Sequence, residues 1–492
     1  MFKSVTPESC GIESARILEF LEYLEDSGLV THGLLMAKDD EVFTEAYWKP
    51  FNEDFCHRMY SQTKSYVGIA IGLLVEEGKL SLDDKVYDYF KDELEVVPSE
   101  YMQAQTVREM LTMTTATTKW DTWFTSAAKD RVQNYYAFNE AKKPAGTTWY
   151  YDSAGSQILC SLVEKVSGKS FYDYLYEKVF CHLGTFKTAT VLKARGGHSW
   201  GDSALVCTVR DMASFARMLM HGGTVDGKYI MSADYIKEAT SPLRDCNETG
   251  FESITAQGYG YQIWGIKKGF AFLGMGNQDT IVLPEQNLIF VITSDNQGFA
   301  SSRQLIFQGY RHLVAKHVKD APLPENPDDY KKLCDYIEKL KLASIKGEKS
   351  VPFAKEIEGK EFFAEENKLG IEKFSLHFDG ENGGELRYTN KSGAKILPFK
   401  LCENNFTTFP EEGYSDEMGG VRTKGFFYKC AVSGAWREEK KFRMLVRVID
   451  RYFGNLCIDI AFKNPELCVF KAAKTAEDFF TEYQGEFVAH AK

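Results

Sequence analysis

Apolar residues in the first part of the chain recur with a period near 3.6, which predicts helices. One amphipathic helix is predicted close to the N-terminus, with an apolar face made of Ile17, Leu18, Leu21 and Leu24. A second helix, over residues 65–78, is apolar on nearly every side and ends at a glycine, a residue that suits a helix terminus. The same period predicts further helices over residues 156–166 and 209–221.

Other segments of this region alternate between apolar and polar residues, which predicts strands. Residues 32–48 have the pattern of a hairpin that turns at Asp39 and Asp40. Residues 270–296 have the pattern of several strands, with a turn at residues 284–287. Because the hairpin lies near the start and the other strands lie far along the chain, we expect one mixed sheet whose first and last strands are remote in sequence.

The pattern changes after residue 320. Residues 321–327 contain three of the thirteen prolines of the chain, which is typical of a linker because proline lacks an N–H donor and restricts the preceding residue. A helix over residues 328–342 follows. Beyond it, strand-type alternation predicts a separate antiparallel β-domain, with apolar faces such as Phe374/Leu376/Phe378, Phe442/Met444/Val446/Val448 and Leu456/Ile458/Ile460/Phe462. The predicted segments are 1–320, the linker and helix 321–350, and the β-rich domain 351–492.

Composition agrees with a globular protein of two or three domains, since the 492 residues are 44% hydrophobic and 26% charged. The net charge is −11 and the sequence pI is near 5.5. An acidic chain without a run of Lys or Arg lacks the concentrated positive charge that nucleic acids or anionic membranes require. We therefore expect no nucleic-acid partner.

Membrane insertion and metal binding are also disfavoured by the sequence. The longest apolar run, residues 68–75, is far shorter than the roughly 20 residues of a membrane span. The N-terminus lacks the apolar core and cleavage site of a signal peptide. The eleven cysteines are scattered and never form C-x-x-C pairs, which indicates reduced thiols rather than metal ligands. A soluble, cytoplasmic protein without a membrane partner is predicted; the oligomeric state stays open, and a homodimer is compatible with the sequence.

Candidate chemistry begins with a serine followed three residues later by a lysine. This S-x-x-K pattern occurs three times, as Ser61/Lys64, Ser126/Lys129 and Ser392/Lys395. The Ser392 copy lies between two strand patterns and indicates a turn in the β-domain. The Ser126 copy lies in a polar stretch with no apolar helix behind it. Both copies are therefore interpreted as structural.

The Ser61 copy differs because it stands directly before a helix that must be buried. Residues three apart share a helix face, so Lys64 is predicted to lie within reach of the Ser61 hydroxyl. The start of a helix also offers a positive dipole end and a free N–H. Burial disfavours a charged lysine, which suits Lys64 to act as a base. The structural alternative is an N-cap serine with a lysine that reaches out to solvent.

Several ordered segments extend this motif and together resemble one family. They are MYSQTKS at 59–65, TVREMLTMT at 106–114, GTTWYYDS at 146–153, the helix pattern at 205–223 and the strand pattern at 274–285. Over about residues 5–315 the chain resembles the β-lactamase-related serine hydrolases, which include class C β-lactamases, DD-peptidases, esterases and 6-aminohexanoate-dimer hydrolase. The resemblance implies an α/β (α+β) fold: a mixed, largely antiparallel sheet flanked by helices, with a helical subdomain over about residues 80–200.

The resemblance also implies catalytic roles. Ser61 is expected to attack the carbonyl carbon and Lys64 to take its proton, while Tyr151 acts as the second acid and base. The backbone N–H groups of Ser61 and Met275 are expected to form the oxyanion hole. Tyr150 adjoins Tyr151, but the spacing of the family motif favours Tyr151. No metal and no organic cofactor is implied.

Ser153 and Gly274 are implied as substrate-binding residues, and three positions depart from the family pattern. Ser153 stands where β-lactamases usually have Asn, and Met113 replaces a frequent His. Phe272 stands where a Lys or His is expected, so this strand lacks the cation that would hold a substrate carboxylate. Hydrolysis of β-lactams or cell-wall peptides is therefore less favoured than cleavage of another acyl substrate.

The sequence thus predicts a serine hydrolase that cleaves an ester or amide of a small-molecule or short-peptide acyl substrate through an acyl-Ser61 intermediate. One alternative is a β-lactamase or D-amino-acid-specific peptidase of the same fold. Another is a non-catalytic binding protein that retains the fold. His57 is interpreted as structural, while core packing and cleft lining both stay open for Trp120, Trp123 and Trp264.

Overall fold

The computed structural model describes residues 2–117, 130–138, 141, 143–246, 257–414, 417–419, 422–476 and 480–492. Ser126, Lys129, Trp120 and Trp123 lie outside them. The chain divides into two compact units, Met1–Lys341 with Glu417–Gly419, and Leu342–Asp416 with Gly420–Lys492. The division after residue 341 differs from the predicted boundaries at 320 and 350, because the helix Pro327–Lys339 packs against the helix Ser14–Asp26 and buries Leu333.

The described strands of the first unit build one large sheet and two small ones. Their bounds are β1 Lys3–Ser4, β2 Thr31–Lys38, β3 Glu41–Tyr47, β4 His57–Arg58, β5 Thr190–Val191, β6 Leu205–Cys207, β7 Thr224–Val225, β8 Lys228–Tyr229, β9 Trp264–Ile266, β10 Gly269–Gly274, β11 Gln278–Leu283 and β12 Leu288–Ser294. Within the described residues the large sheet has the order β1-β3-β2-β12-β11-β10-β9, antiparallel except for β1 beside β3. The expected hairpin is confirmed, as is the pairing of strands remote in sequence, since β2 lies beside β12.

Helices cover both faces of this sheet. Those of the described part of the first unit are Ser14–Asp26, Thr63–Glu76, Glu100–Ala104, Val107–Leu111, Arg131–Phe138, Ser153–Ser167, Phe171–Leu175, Cys181–Leu183, Val209–Met220, Ala233–Ala239, Ser302–Gly309 and Pro327–Lys339. Alternation along β2 separates two cores: Leu34 and Met36 pack with the helix Ser14–Asp26, whereas Leu35 and Ala37 pack with the helix Thr63–Glu76.

The helix Thr63–Glu76 is buried along most of its length, as its apolar sequence predicts. It begins two residues earlier than predicted and ends at Glu76, and Gly78 follows with a positive φ of 64°. Two glycines let other segments approach it closely. A Cβ atom at Gly68 would lie 2.5 Å from the carbonyl oxygen of Tyr261, and one at Gly72 would lie 2.3 Å from the ring of Tyr235.

The second unit is a β-barrel. Its strands are β13 Phe362–Ala364, β14 Ile371–Asp379, β15 Gly383–Asn390, β16 Gly393–Leu401, β17 Asn405–Tyr414, β18 Arg422–Glu438, β19 Lys441–Val448, β20 Gly454–Asn464, β21 Leu467–Ala476 and β22 Gly485–Ala491. Among the described residues the order is β16-β15-β14-β13-β22-β21-β20-β19-β18-β17, and pairing of β16 with β18 closes the barrel. Ser392 lies in the turn between β15 and β16, which confirms the structural interpretation of that S-x-x-K copy.

Candidate active site

Ser61 lies in a short 3₁₀ turn, Tyr60–Gln62, that leads directly into the helix Thr63–Glu76. From position 57 to position 74, a stretch described without gaps, Ser61 is the one residue that is partly exposed. Tyr60 precedes it with a φ of 48°, a conformation that residues with a side chain adopt rarely and that is enriched at functional sites. Gln62 is the N-cap of the helix and makes no side-chain capping bond, so the N-cap interpretation of Ser61 is wrong.

Lys64 is 1% exposed and its Nζ atom is directed at Ser61. Nζ donates to Ser61 Oγ at 3.0 Å and to the backbone carbonyl oxygen of Asp202 at 2.7 Å. The carboxylate of Asp202 is paired in turn with Arg131 at 3.3 Å. Lys64 therefore does not reach out to solvent, and that alternative is wrong. The carbonyl of Asp202 orients the amine along the hydroxyl of the serine.

Tyr151 also lies close to the lysine. The Lys64 Nζ atom is 5.2 Å from the centroid of the Tyr151 ring. That ring stacks on Trp264 with the centroids 5.7 Å apart and the planes 21° from parallel. Trp149 closes the aromatic group, with its ring 6.3 Å from Tyr151 and 5.8 Å from Trp264. Trp264 is thus both buried in the core and a support for the Tyr151 ring.

The backbone at Tyr151 is fixed by the start of the helix Ser153–Ser167. Asp152 is the N-cap of this helix, and its carboxylate accepts hydrogen bonds from the Gly155 N–H and from the hydroxyls of Thr115 and Thr117. Burial raises the pKa of Asp152, and these hydrogen bonds oppose that shift. Tyr151 therefore emerges from a rigid, N-capped segment, and Ser153 begins the helix beside it, partly exposed.

The turn between β10 and β11 lies against the segment that precedes Ser61. A Cβ atom at Gly274 would be 2.3 Å from the carbonyl oxygen of Met59, so only glycine allows this approach. The Gln62 side chain links the two segments further, because its Nε2 donates to the Gln278 carbonyl at 2.9 Å. Met275, a residue that is 38% exposed, follows Gly274 at this edge of the sheet.

An ion pair behind this turn holds its shape. Asp279 is fully buried, and both of its carboxylate oxygens accept from Arg303, at 3.0 and 3.1 Å. Arg303 Nη2 also donates to the Gly274 carbonyl at 2.7 Å, and the Gly274 N–H donates to Asp279 at 3.3 Å. Both peptide groups of Gly274 are therefore fixed by charged side chains.

Two departures from the family pattern have clear structural places. Phe272 is fully buried and packs with Tyr66 and Phe215, at ring distances of 6.5 and 5.8 Å. Phe272 thus packs in the core at the position where the family pattern has a positively charged side chain. Met113 is also buried, with a positive φ of 54°, and its carbonyl accepts from the Tyr150 N–H at 2.9 Å.

His57 is buried, and its Nε2 lies 3.3 Å from the Nδ1 of His32. Burial lowers the pKa of His57 from 6.5 to about 3. The ring also packs against Phe51 and Phe55. These contacts agree with the structural interpretation of His57.

Within the described ranges, no cluster of three or more His, Cys, Asp or Glu side chains could hold a metal ion. Across those ranges, no helix is both long enough and apolar enough to cross a membrane.

Sequence reasoning missed the residues that orient the site rather than form it. Asp202 takes part through its backbone carbonyl, so its residue type carried no signal, and it is 138 positions from Lys64. Asp279 and Arg303 are 24 positions apart and belong to no short motif. A buried acidic residue within an apolar strand, next to the predicted Gly274 turn, was the one available clue.

The family model described as Beta-lactamase matches residues 20–314. The 6-aminohexanoate-dimer hydrolase of Paenarthrobacter ureafaciens is 24% identical over 301 residues, which is 56% of this chain and 75% of the relative. The solved structure named "Putative 6-aminohexanoate-dimer hydrolase from Bacillus anthracis" is 19% identical, with a TM-score of 0.51 over 66% of this chain and 88% of that one. Because the family model covers more than half of the chain, this protein belongs to the beta-lactamase family of hydrolases.

Proposed function

We propose that this protein is a serine hydrolase that cleaves an ester or amide of a small acyl substrate through an acyl-Ser61 intermediate. The observation that carries the proposal is the 3.0 Å hydrogen bond from Lys64 Nζ to Ser61 Oγ, in a buried stretch where Ser61 alone is partly exposed. A nucleophile, a base within hydrogen-bond reach and a group that orients the base are the elements of covalent acyl transfer. Ser61, Lys64 and the Asp202 carbonyl supply these three elements.

In acylation, Ser61 Oγ attacks the substrate carbonyl carbon while its proton passes to Lys64 Nζ. The negative charge that forms on the carbonyl oxygen is stabilised by the N–H groups of Ser61 and Met275, each worth about 10²–10³ in rate. Tyr151 then donates a proton to the leaving alcohol or amine as the bond to it breaks. The product of this step is an ester between the acyl group and Ser61.

In deacylation, the Tyr151 phenolate takes a proton from water, and the resulting hydroxide attacks the acyl carbon. The bond to Ser61 Oγ breaks, and the oxygen recovers its proton from Lys64. The carboxylic acid leaves and the starting enzyme is restored. Tyr151 thus acts first as an acid and then as a base, which requires its oxygen to face the reacting centre.

The substrate class follows from the surroundings of Ser61. Phe272 packs in the core at the position where related enzymes place a cation. This strand therefore offers no charge to hold the carboxylate of a β-lactam or a cell-wall peptide. Tyr151, Trp149 and Trp264 instead form an aromatic group beside the nucleophile, which suits an apolar acyl group. The relative named for 6-aminohexanoate dimers supports cleavage of an amide as well as an ester.

A fluorophosphonate probe tests the nucleophile. We expect the wild-type chain to be labelled and Ser61→Ala to resist labelling, while Ser392→Ala, the same residue type in the exposed S-x-x-K copy of the barrel, is labelled like wild type. Equal labelling of wild type and Ser61→Ala would reject the proposal that this protein is an enzyme and would favour a non-catalytic binding protein of this fold.

Substrate class is tested separately with p-nitrophenyl esters, anilides and a chromogenic cephalosporin, each with Ser61→Ala as the blank. We expect turnover of esters or anilides to exceed that of the cephalosporin. If the cephalosporin is turned over as fast as the esters and Ser61→Ala loses this activity, the substrate assignment is wrong. The assignment of Ser61 as the nucleophile would still hold.

A further inference from the structure

Arg58 is a fully buried arginine on strand β4, three residues before Ser61. Its Nε donates to the backbone carbonyl oxygen of Ser203 at 2.9 Å, and its Nη2 donates to the Ser203 hydroxyl at 2.8 Å. An arginine keeps its positive charge in proteins, and removing a charge from water is costly. The burial of Arg58 therefore calls for an explanation in terms of what its two hydrogen bonds hold in place.

Ser203 directly follows Asp202, the residue whose carbonyl orients Lys64. The Asp202 carbonyl carbon and the Ser203 nitrogen share one planar peptide group, so a movement of Ser203 also turns the Asp202 carbonyl. That carbonyl accepts from Lys64 Nζ at 2.7 Å, and the same Nζ donates to Ser61 Oγ at 3.0 Å. The two hydrogen bonds from Arg58 thus fix the segment that orients the proposed base.

The guanidinium of Arg58 also lies over two aromatic rings. Its Cζ atom is 4.3 Å from the centroid of the Tyr60 ring and 4.2 Å from the centroid of the Trp200 ring. A planar guanidinium can stack through its face while its N–H groups donate at its edge. Tyr60 directly precedes Ser61 and has a φ of 48°, a conformation that persists only where the surroundings support it. One side chain therefore contacts both the turn that carries the nucleophile and the segment that orients Lys64.

We propose that Arg58 is a positioning residue of the reaction: it holds the Asp202 carbonyl in place for Lys64 and supports the Tyr60 turn that presents Ser61. The inference rests on the proposed function. Because Arg58 is fully buried, its removal should slow acylation and leave the binding of substrate nearly unchanged.

The test is Arg58→Met, which replaces the donors with an apolar side chain of similar length. Stopped-flow release of p-nitrophenol from a p-nitrophenyl ester gives the acylation rate and the dissociation constant of the substrate. Active sites are counted by labelling to completion with the fluorophosphonate probe. We expect the acylation rate per active site to fall about 10–100-fold, with the dissociation constant changed about twofold or less.

Arg217→Met is the matched control. Arg217 is 8% exposed and pairs with Asp40 and Asp226, away from the segments that carry Ser61 and Lys64. We expect this variant to acylate at the wild-type rate per active site. If Arg58→Met reduces only the number of active sites or the Tm, and each remaining site reacts at the wild-type rate, then Arg58 is merely structural and the proposal is wrong.

Ser203→Ala is a second variant, which keeps the arginine and removes one of its two acceptors. It should slow acylation about 2–10-fold, the effect of one hydrogen bond. In the Arg58→Met background the Ser203 hydroxyl has already lost this donor, so the double variant should be no slower than Arg58→Met. Effects that multiply would show that Arg58 does not act through Ser203. If thermal unfolding shows that Arg58→Met does not fold, acylation at the wild-type rate in Ser203→Ala overturns the proposal.

Failure of this inference can be distinguished from failure of the proposed function. Equal labelling of wild type and Ser61→Ala by the probe would overturn both. Labelling that depends on Ser61, together with an unchanged acylation rate in a folded Arg58→Met, would overturn the role of Arg58 alone.

Discussion

Arg303 donates two hydrogen bonds to the buried carboxylate of Asp279, and the same guanidinium donates to the carbonyl oxygen of Gly274. The planar fork of an arginine matches a carboxylate in a way that lysine does not. Because Gly274 precedes the proposed oxyanion donor Met275, the pair fixes the position of the turn that faces Ser61. Arg303 is thus a positioning residue for the proposed reaction.

Arg303→Lys tests this role. The variant keeps the charge next to Asp279 but loses the simultaneous contact with Gly274. The Met275 N–H should therefore be held less accurately in the position from which it donates to the oxyanion. We expect kcat on a p-nitrophenyl ester to fall about 10–100-fold with KM changed about twofold or less. Steady-state kinetics give the two constants. The control is Arg311→Lys at an exposed arginine; an unchanged kcat in Arg303→Lys would contradict the role.

Lys64→Arg separates charge from basicity. Arginine keeps a positive charge near Ser61 but does not deprotonate in proteins, so it does not accept the serine proton. We expect the rate of acylation to fall by about 10²–10⁴. Stopped-flow release of p-nitrophenol measures this rate directly. Lys79→Arg, just beyond the same helix, should match wild type; acylation at the wild-type rate in Lys64→Arg would exclude Lys64 as the base.

Tyr151→Phe should affect the two half-reactions differently. A p-nitrophenolate leaving group needs little protonation, so the burst of acylation with a p-nitrophenyl ester should largely persist. Deacylation needs a base for water, so the steady-state rate should fall by about 10²–10⁴ and the acyl-enzyme should accumulate. Mass spectrometry of the quenched protein detects the added acyl mass.

Tyr150→Phe is the matched control for this prediction, since the two tyrosines are adjacent. The ring of Tyr151 is the one whose centroid lies 5.2 Å from Lys64 Nζ. We therefore expect Tyr150→Phe to turn over at close to the wild-type rate. Accumulation of acyl-enzyme in Tyr150→Phe instead of Tyr151→Phe would reverse the assignment.

The core of the site could be predicted because its signals are local. Ser61 and Lys64 are three residues apart, and the apolar helix that follows distinguishes them from Ser392 and Lys395. The start of that helix was less predictable, because the 3₁₀ turn Tyr60–Gln62 depends on a positive φ at Tyr60 that no residue type indicates. Local pattern identifies the nucleophile, but the backbone that presents it is set by tertiary contacts.

The long-range contacts of the site could not be predicted from the sequence for a different reason. The Asp202 carbonyl could have come from any residue type, and the Arg303 pair joins a strand to a helix across a loop. In the second unit, alternation predicted strands and their inner faces, and these are confirmed. Closure of the barrel depends on pairing of Lys400 with Ser433, across a chain separation that alternation does not encode.

His57 makes stability depend on pH. Burial lowers its pKa to about 3 in the folded protein, against 6.5 when exposed. Between these values the unfolded chain binds a proton that the folded chain does not, so the free energy of unfolding falls as pH is lowered. From about pH 7 to about pH 4 the loss is on the order of 3 kcal/mol.

Other buried groups also titrate, and Asp152 shifts in the opposite direction, so the test compares variants. Urea unfolding of wild type and His57→Gln over this pH range should give curves that converge as pH falls, because glutamine does not titrate. Parallel curves would show that His57 is protonated equally in the folded and unfolded states.

Gly274→Ala tests the approach of β10 to the nucleophile turn. The φ angle of Gly274 is not positive, so an alanine there meets no backbone strain. Its Cβ, however, would lie 2.3 Å from the Met59 carbonyl oxygen and 3.1 Å from the Gln278 side chain. Because the nearest atom belongs to the backbone, relief requires β10 to move away from the turn that carries Ser61. That movement should carry the Met275 N–H out of reach of the oxyanion.

We therefore expect Gly274→Ala to react with the fluorophosphonate probe about 10²–10³ times more slowly than wild type, the cost of one oxyanion donor. Gly265→Ala, in the neighbouring strand β9, is the control, since its Cβ would lie 3.2 Å from the carbonyl oxygens of Gln257 and Gly258, a contact that a small adjustment relieves. Thermal unfolding of both variants separates loss of the fold from loss of reactivity. If Gly274→Ala stays folded and is labelled at the wild-type rate, then Ser61 is activated without the Met275 turn, and the second oxyanion donor must come from another segment.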